Sequence, residues 1–195
     1  TMYGVRYGAG AALGALSLAV IVLSRVQHTA PMSTIFKARL SSDLGNLMLA
    51  FTMFWAYVTF SEYLIIWSAN LPEERFWFSD RMHGGWQVIG ISLIVLHFFV
   101  PFFFLISRNI KKHLNRLAKV AMFLIAMRYV DLLWITAPSY HDHLHLHLLD
   151  LTTAVGLLGI WFWLYLKALS SRSLVAEKSP RVKEIFDMAG DGHHG

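Results

Sequence analysis

The stretch FLIAMRYVDLLWITAP, Phe123 to Pro138, decides how the chain is read. It is apolar enough to be a membrane-spanning helix, yet it holds Arg128 and Asp131. Three residues apart, the two share a face of a helix and can pair within it. An ionised side chain at the bilayer centre costs about 3 kcal/mol on insertion scales. Pairing lowers that cost, and facing a bundle interior or a water-filled cavity lowers it further. The stretch therefore predicts a span whose charged face meets protein or water rather than lipid.

The rest of the chain repeats the apolar pattern. Apolar segments fall roughly at 8–24, 44–68, 84–107, 117–137 and 148–169, near the ~20 residues a helix needs to cross a bilayer. Of 195 residues, 56% are hydrophobic and only 15% charged, against roughly 25% charged in a soluble domain. The expected fold is an all-α polytopic helix bundle with about five transmembrane helices. A net charge of +5 is not read as nucleic-acid binding, because the basic residues sit in short segments between apolar runs and act as topology signals. The chain has no cysteine, which excludes disulfides, thiolate metal sites and cysteine-ligated iron–sulfur clusters within it.

Basic and non-basic connections alternate. Residues 25–43 carry Arg25, Lys37 and Arg39 against Asp43, and 108–116 carry Arg108, Lys111, Lys112 and Arg116 with no acid. Residues 69–81 carry Glu73, Glu74 and Asp80 against Arg75 and Arg81, and 138–147 hold Asp142 and histidines without Lys or Arg. By the positive-inside rule, 25–43, 108–116 and the mixed-charge tail 170–195 are cytoplasmic, and the N-terminus is outside. The chain begins at Thr1 without a charged n-region, h-region and cleavage site. An outside N-terminus without a signal points to upstream helices, so the expectation is the C-terminal part of a longer polytopic protein.

Within the first span, GAGAALGAL spaces Gly10 and Gly14 four apart, a pattern that lets membrane helices approach closely. The second span, ending TFSEYLIIWSANLPEE, encloses Glu62, places Trp67 at an interfacial belt and stops near Pro72. In RFWFSDRMHGGWQVIG, Ser79 or Asp80 is the expected cap of the third helix, and Gly84–Gly85 allow tight packing or a bend. His97 lies near the middle of that helix. Pro101 removes the donor to the His97 carbonyl and predicts a kink. The run FFVPFFF reads as a lipid-facing or packing surface.

The ionisable residues inside spans are Glu62, His97, Arg128, Asp131 and, just inside the fifth, Asp150. Such residues mark proton relays, ion paths or ligand sites by default, and these five are the candidates for a proton path. Arg128 keeps its proton and serves as a fixed counter-charge. The competing reading is an interhelical polar network that only fixes packing. In SYHDHLHLHLLDL, an early helix start would align His143, His147 and Asp150, a spacing that can ligate zinc. A solvated loop is the plainer reading of those histidines, since no second segment offers ligands. No bis-histidine haem pattern, phosphate loop, nucleophile elbow or HExxH is present, so catalysis by this chain alone is not expected.

Three runs, FSEYLIIWSANLPEERFWFSDRMHGGW, LHFFVPFFFLISRNIKK and MRYVDLLWITAPSYH, closely resemble the ActF-type membrane protein of bacterial alternative complex III, a quinol:electron-acceptor oxidoreductase. That family is related to NrfD/polysulfide-reductase-type membrane subunits. The likeness covers most of residues 44–169, including Tyr63, Trp67, Asn70, Pro72, Glu73 and the Arg128–Asp131 pair; the histidine run departs from it. The resemblance implies a protein of about ten helices, of which this is half, in the bacterial inner membrane. It implies as partners a sister quinol-binding membrane subunit, an iron–sulfur subunit and haem c subunits. Haem c, iron–sulfur clusters and quinone are then expected in those partners, with no cofactor bound by this chain. The function implied is support of proton translocation and assembly. The alternatives are a purely structural membrane anchor, or a quinone site in this chain with His97 or Glu62 taking the quinol proton.

Overall fold

In a computed structural model of the chain, Gly84 and Gly85 take φ of 64° and 94°, a left-handed backbone open to glycine because it has no Cβ. This is the bend that the glycine pair allows. It separates a short helix from the third span. The structure describes residues 2–29, 38–141 and 148–171, and among these all regular structure is helical. The elements are α1 (Met2–Val26), α2 (Ala38–Ala69), α3 (Pro72–Arg81), α4 (Trp86–Ser92), a π-helical segment (Leu93–Phe99), α5 (Val100–Ile106), α6 (Arg108–Lys112), α7 (Leu114–Thr136) and α8 (Leu148–Ser170).

Five stretches are long and apolar enough to cross a membrane: Met2–Val26, Arg39–Ala69, Trp86–Ile106, Leu114–Ser139 and Leu148–Ser170. The chain is thus an all-α, multi-pass helix bundle. The first span begins at Met2 rather than near residue 8, which brings Arg6 inside it. Ser79 and Asp80 do not cap the third span. They lie within α3, and the span opens at Trp86 behind Gly85. Asn70, at φ 48°, and Pro72 at the start of α3 end α2 as the sequence predicts.

At Pro101, where a kink is expected, the helix changes its winding. The proline ring excludes the carbonyl four residues back and the residue donates no hydrogen bond. The helix meets this by widening to π winding over Leu93–Phe99, with the Val100 N–H bonding the Val95 carbonyl. Such π segments often occur at functional sites, and His97 lies in this one. Phe99, Phe103 and Phe104 on either side of the proline are exposed, as a lipid-facing run requires.

The chain divides into two units. In the first, α1 packs against α7 and α2, and α2 also lines α5 and α6. The buried stripe of α1, Arg6, Ala9, Gly10, Leu13, Ser17, Val20 and Ser24, repeats every three or four residues, as one helix face must. The basic end is tied by polar contacts. Gln27 Nε2 donates to Asn115 Oδ1 at 2.6 Å, Ser41 Oγ to the Lys111 carbonyl at 2.7 Å, and Lys111 Nζ to Asn46 Oδ1 at 2.7 Å. The described part of the second unit is chiefly α8. Its apolar residues occur on every side of the helix, the pattern of a membrane span rather than of an amphipathic surface helix.

Candidate functional site

The site grows from Asp131. On α7 the buried positions Leu117, Ala121, Leu124, Arg128, Asp131 and Ile135 follow helical spacing, so the same stripe that supplies the core carries the two charges inward. Arg128 Nη1 bonds Asp131 Oδ2 at 2.5 Å, the pairing within the helix that the spacing predicts.

The rest of the cluster comes from two other spans. Arg6 of α1 spreads its guanidinium fork over two acids, with Nη2 at 2.8 Å from Asp131 Oδ1 and Nη1 at 3.2 Å from Glu62 Oε2 of α2. Trp55 of α2 donates from Nε1 to Asp131 Oδ2 at 3.3 Å. Asp131 is therefore met at both oxygens and is 0% exposed. Arg6 and Arg128 against Glu62 and Asp131 sum to zero charge. A neutral, hydrogen-bonded group is the form in which charges are tolerated away from water.

Gly10 makes room for this. A Cβ there would overlap the Arg128 guanidinium, which also donates from Nη2 to the Tyr7 carbonyl at 3.2 Å. Gly14 has nothing within 4 Å of where its Cβ would stand. The two glycines, a helix-approach pair by their spacing, thus differ: Gly10 is a notch for a charged side chain and Gly14 is open.

His97 joins through packing. Its ring lies 4.2 Å from the Trp55 ring, centroid to centroid, and is 0% exposed. Both its ring nitrogens, with Arg6 Nε, Thr59 Oγ1 and, farther along α1, Ser17 Oγ, are buried without a well-aligned hydrogen bond among the described residues, and the Met127 backbone lies beside the imidazole. Thr59 sits one turn from both Trp55 and Glu62 along α2. Polar atoms in this situation are the groups that internal water binds. Ser17 Oγ apart, ionic pairs and these polar atoms thus share one region.

The region runs from mid-span toward one end. Glu62 lies seven residues before the end of α2, about 10 Å at 1.5 Å per residue. Arg128 lies within two residues of the midpoint of its span, Leu114–Ser139, as the sequence pattern puts it.

Between the cluster and that end stands Arg81 of α3, which counts in the sequence only as a loop charge. It donates to the Ile135 carbonyl at 2.5 Å, the Trp77 carbonyl at 2.6 Å, the Trp134 carbonyl at 3.2 Å and Ser139 Oγ at 3.3 Å. Its guanidinium lies 3.6 Å from the centroid of the Trp77 ring. Two of these carbonyls belong to the last turn of α7, whose carbonyls lack partners within the helix, so Arg81 is a C-terminal cap supplied by another element. Burial lowers its pKa to about 10. Folded Arg81 then binds fewer protons than unfolded Arg81 only above about pH 10, so its contribution to stability rises with pH there and is flat at neutral pH. Arg81→Ala is expected to cost about 3 kcal/mol, since charge-assisted bonds contribute about 1.5–3 kcal/mol each and do not add fully. Thermal unfolding in detergent at two neutral pH values should show the same loss at both, with Arg25→Ala unchanged.

Of the proposed path residues, the structure brings Glu62, His97, Arg128 and Asp131 together and adds Arg6. Asp150 is in the first turn of α8, in the other unit. His143 and His147 lie outside the described residues. No family model and no curated protein matches the chain.

Proposed function

We propose that the chain is a membrane subunit of a bacterial inner-membrane quinol-oxidising complex of the alternative complex III type, supporting proton movement and assembly. The observation that carries the proton reading is the neutral four-charge cluster joining three spans, with buried polar atoms of His97, Arg6 and Thr59 around it. Closely spaced carboxylates, guanidinium groups and an imidazole allow the charge of a proton gained at one group to be spread over its neighbours rather than left on one side chain in the membrane. The identity of the complex rests on the sequence resemblance alone, as do the quinol-binding, iron–sulfur and haem c partners. The orientation, N-terminus outside and C-terminus cytoplasmic, rests on the basic connections at 25–43 and 108–116.

The test uses Glu62→Gln and Asp131→Asn in purified, assembled complex reconstituted into liposomes. Proton yield per electron is expected to fall while quinol oxidation continues. Unchanged yield and rate in both variants would make the cluster a packing device and the chain a structural anchor.

A further inference from the structure

We infer that the two acids of the cluster have different roles: Glu62 is its proton-binding site and Asp131 its permanent anion. The inference deepens the proton reading above, and rests on it, by naming the group that carries the proton.

The asymmetry is in the partners. Both oxygens of Asp131 are taken, by Arg6 at 2.8 Å, Arg128 at 2.5 Å and Trp55 at 3.3 Å, and its side chain is fully buried. Adding a proton there would weaken three hydrogen bonds and leave Arg128 facing a neutral acid. Among the described residues Glu62 has one partner, Arg6 Nη1 at 3.2 Å on Oε2, and its side chain keeps 7% of its accessible surface. Adding a proton to Glu62 loosens only that longest of the ion pairs. Arg6 need not be left bare, because the same guanidinium holds Asp131 through Nη2. Protonation of Glu62 turns a neutral cluster into one with a single positive charge, spread over two guanidinium groups that share Asp131.

Groups on every packed element bear on this. From α1 come Arg6 and, one turn before it, Tyr3. From α7 come Arg128 and Asp131. His97 of the π segment and Asp80 and Arg81 of α3 complete the set, with Arg81 in electrostatic reach of Asp80, Arg6 and Glu62. Among these cations, Arg6 is the one that an ion pair joins to Glu62. Arg6 is thus the positioning residue. It shifts from two acids to one as the proton arrives.

The experiment is infrared difference spectroscopy of the full chain in nanodiscs, between high and low pH, reading the carbonyl band of a protonated carboxylic acid in a dry environment. One such band is expected. It should shift when glutamate is carbon-13 labelled, stay in place when aspartate is labelled, and vanish in Glu62→Gln. Labelling requires no substitution, so it reads the wild-type fold. A band that moves with aspartate labelling, survives Glu62→Gln, or never forms overturns the assignment. The readout needs no quinol and no partner. It can therefore fail while the proton-yield test succeeds, or the reverse.

Discussion

Arg6→Met is expected to destabilise the bundle by about 3–5 kcal/mol, the range for removing one partner from a buried ion pair. Methionine keeps much of the volume and the apolar stem of arginine, so lost packing contributes little. What is lost is the fork that reaches Glu62 and Asp131 from a helix bonded to neither otherwise. Asp131 retains Arg128 and Trp55, whereas Glu62 retains no ion pair among the described residues. Adding Glu62→Gln to Arg6→Met should therefore recover a large part of the loss, because it removes the stranded charge. Adding Asp131→Asn should recover less, because it strands Arg128 while leaving Glu62 bare. Thermal or chemical unfolding of the three single and two double variants gives coupling energies, expected between about 0.5 and 3 kcal/mol for contacting residues. Equal recovery from both acids would mean that Arg6 treats them alike, and the distinct roles drawn from the 2.8 and 3.2 Å contacts would not stand.

Arg6 is also the cluster member that sequence reasoning misses, and the reason is physical. Hydropathy windows start a span where the apolar run becomes continuous, and Arg6 between Val5 and Tyr7 delays that point. A signal is present in another form. Counting back from Ser24 through Val20, Ser17, Leu13 and Gly10 in steps of three and four lands on Arg6. A cation in register with a buried stripe, on a span that precedes one with a lone glutamate, is a candidate partner for it. Arg128 and Asp131 are legible because their pairing is local, fixed by helix geometry. The contacts of Glu62, Trp55 and His97 are not, because each depends on which helices become neighbours. Arg81 is hidden for a related reason: its net effect on loop charge is visible in sequence, but its partners are carbonyls, which every residue has. The five spans, by contrast, follow from length and composition, and their order in the chain is the order found.

Gly10→Ala is the second substitution expected to do large damage, although it adds one methyl group. In a helix interior the change would ordinarily gain roughly 0.5–1 kcal/mol, since glycine is the more flexible residue. Here the new Cβ would occupy the place of the Arg128 guanidinium. The backbone of α1 cannot retreat freely, because Leu13, Ser17 and Val20 on the same stripe are buried against the bundle. Arg128 must then swing away from Asp131 and the Tyr7 carbonyl. Overpacking of this kind costs about 1–3 kcal/mol, and displacing a paired charge adds to it. The expected net loss is about 3 kcal/mol, read as a lowered unfolding midpoint. Gly14→Ala is the matched control, one turn along the same helix with open space at its Cβ, and should be neutral or mildly stabilising. A second variant separates steric from electrostatic damage. Arg128→Met in the Gly10→Ala background places a thin, uncharged chain beside the methyl group, so the added cost of Gly10→Ala should shrink there. Were Gly10→Ala and Gly14→Ala to behave alike, the glycines would be serving close helix approach in general. Arg128 would then have space to reach Asp131 without the notch.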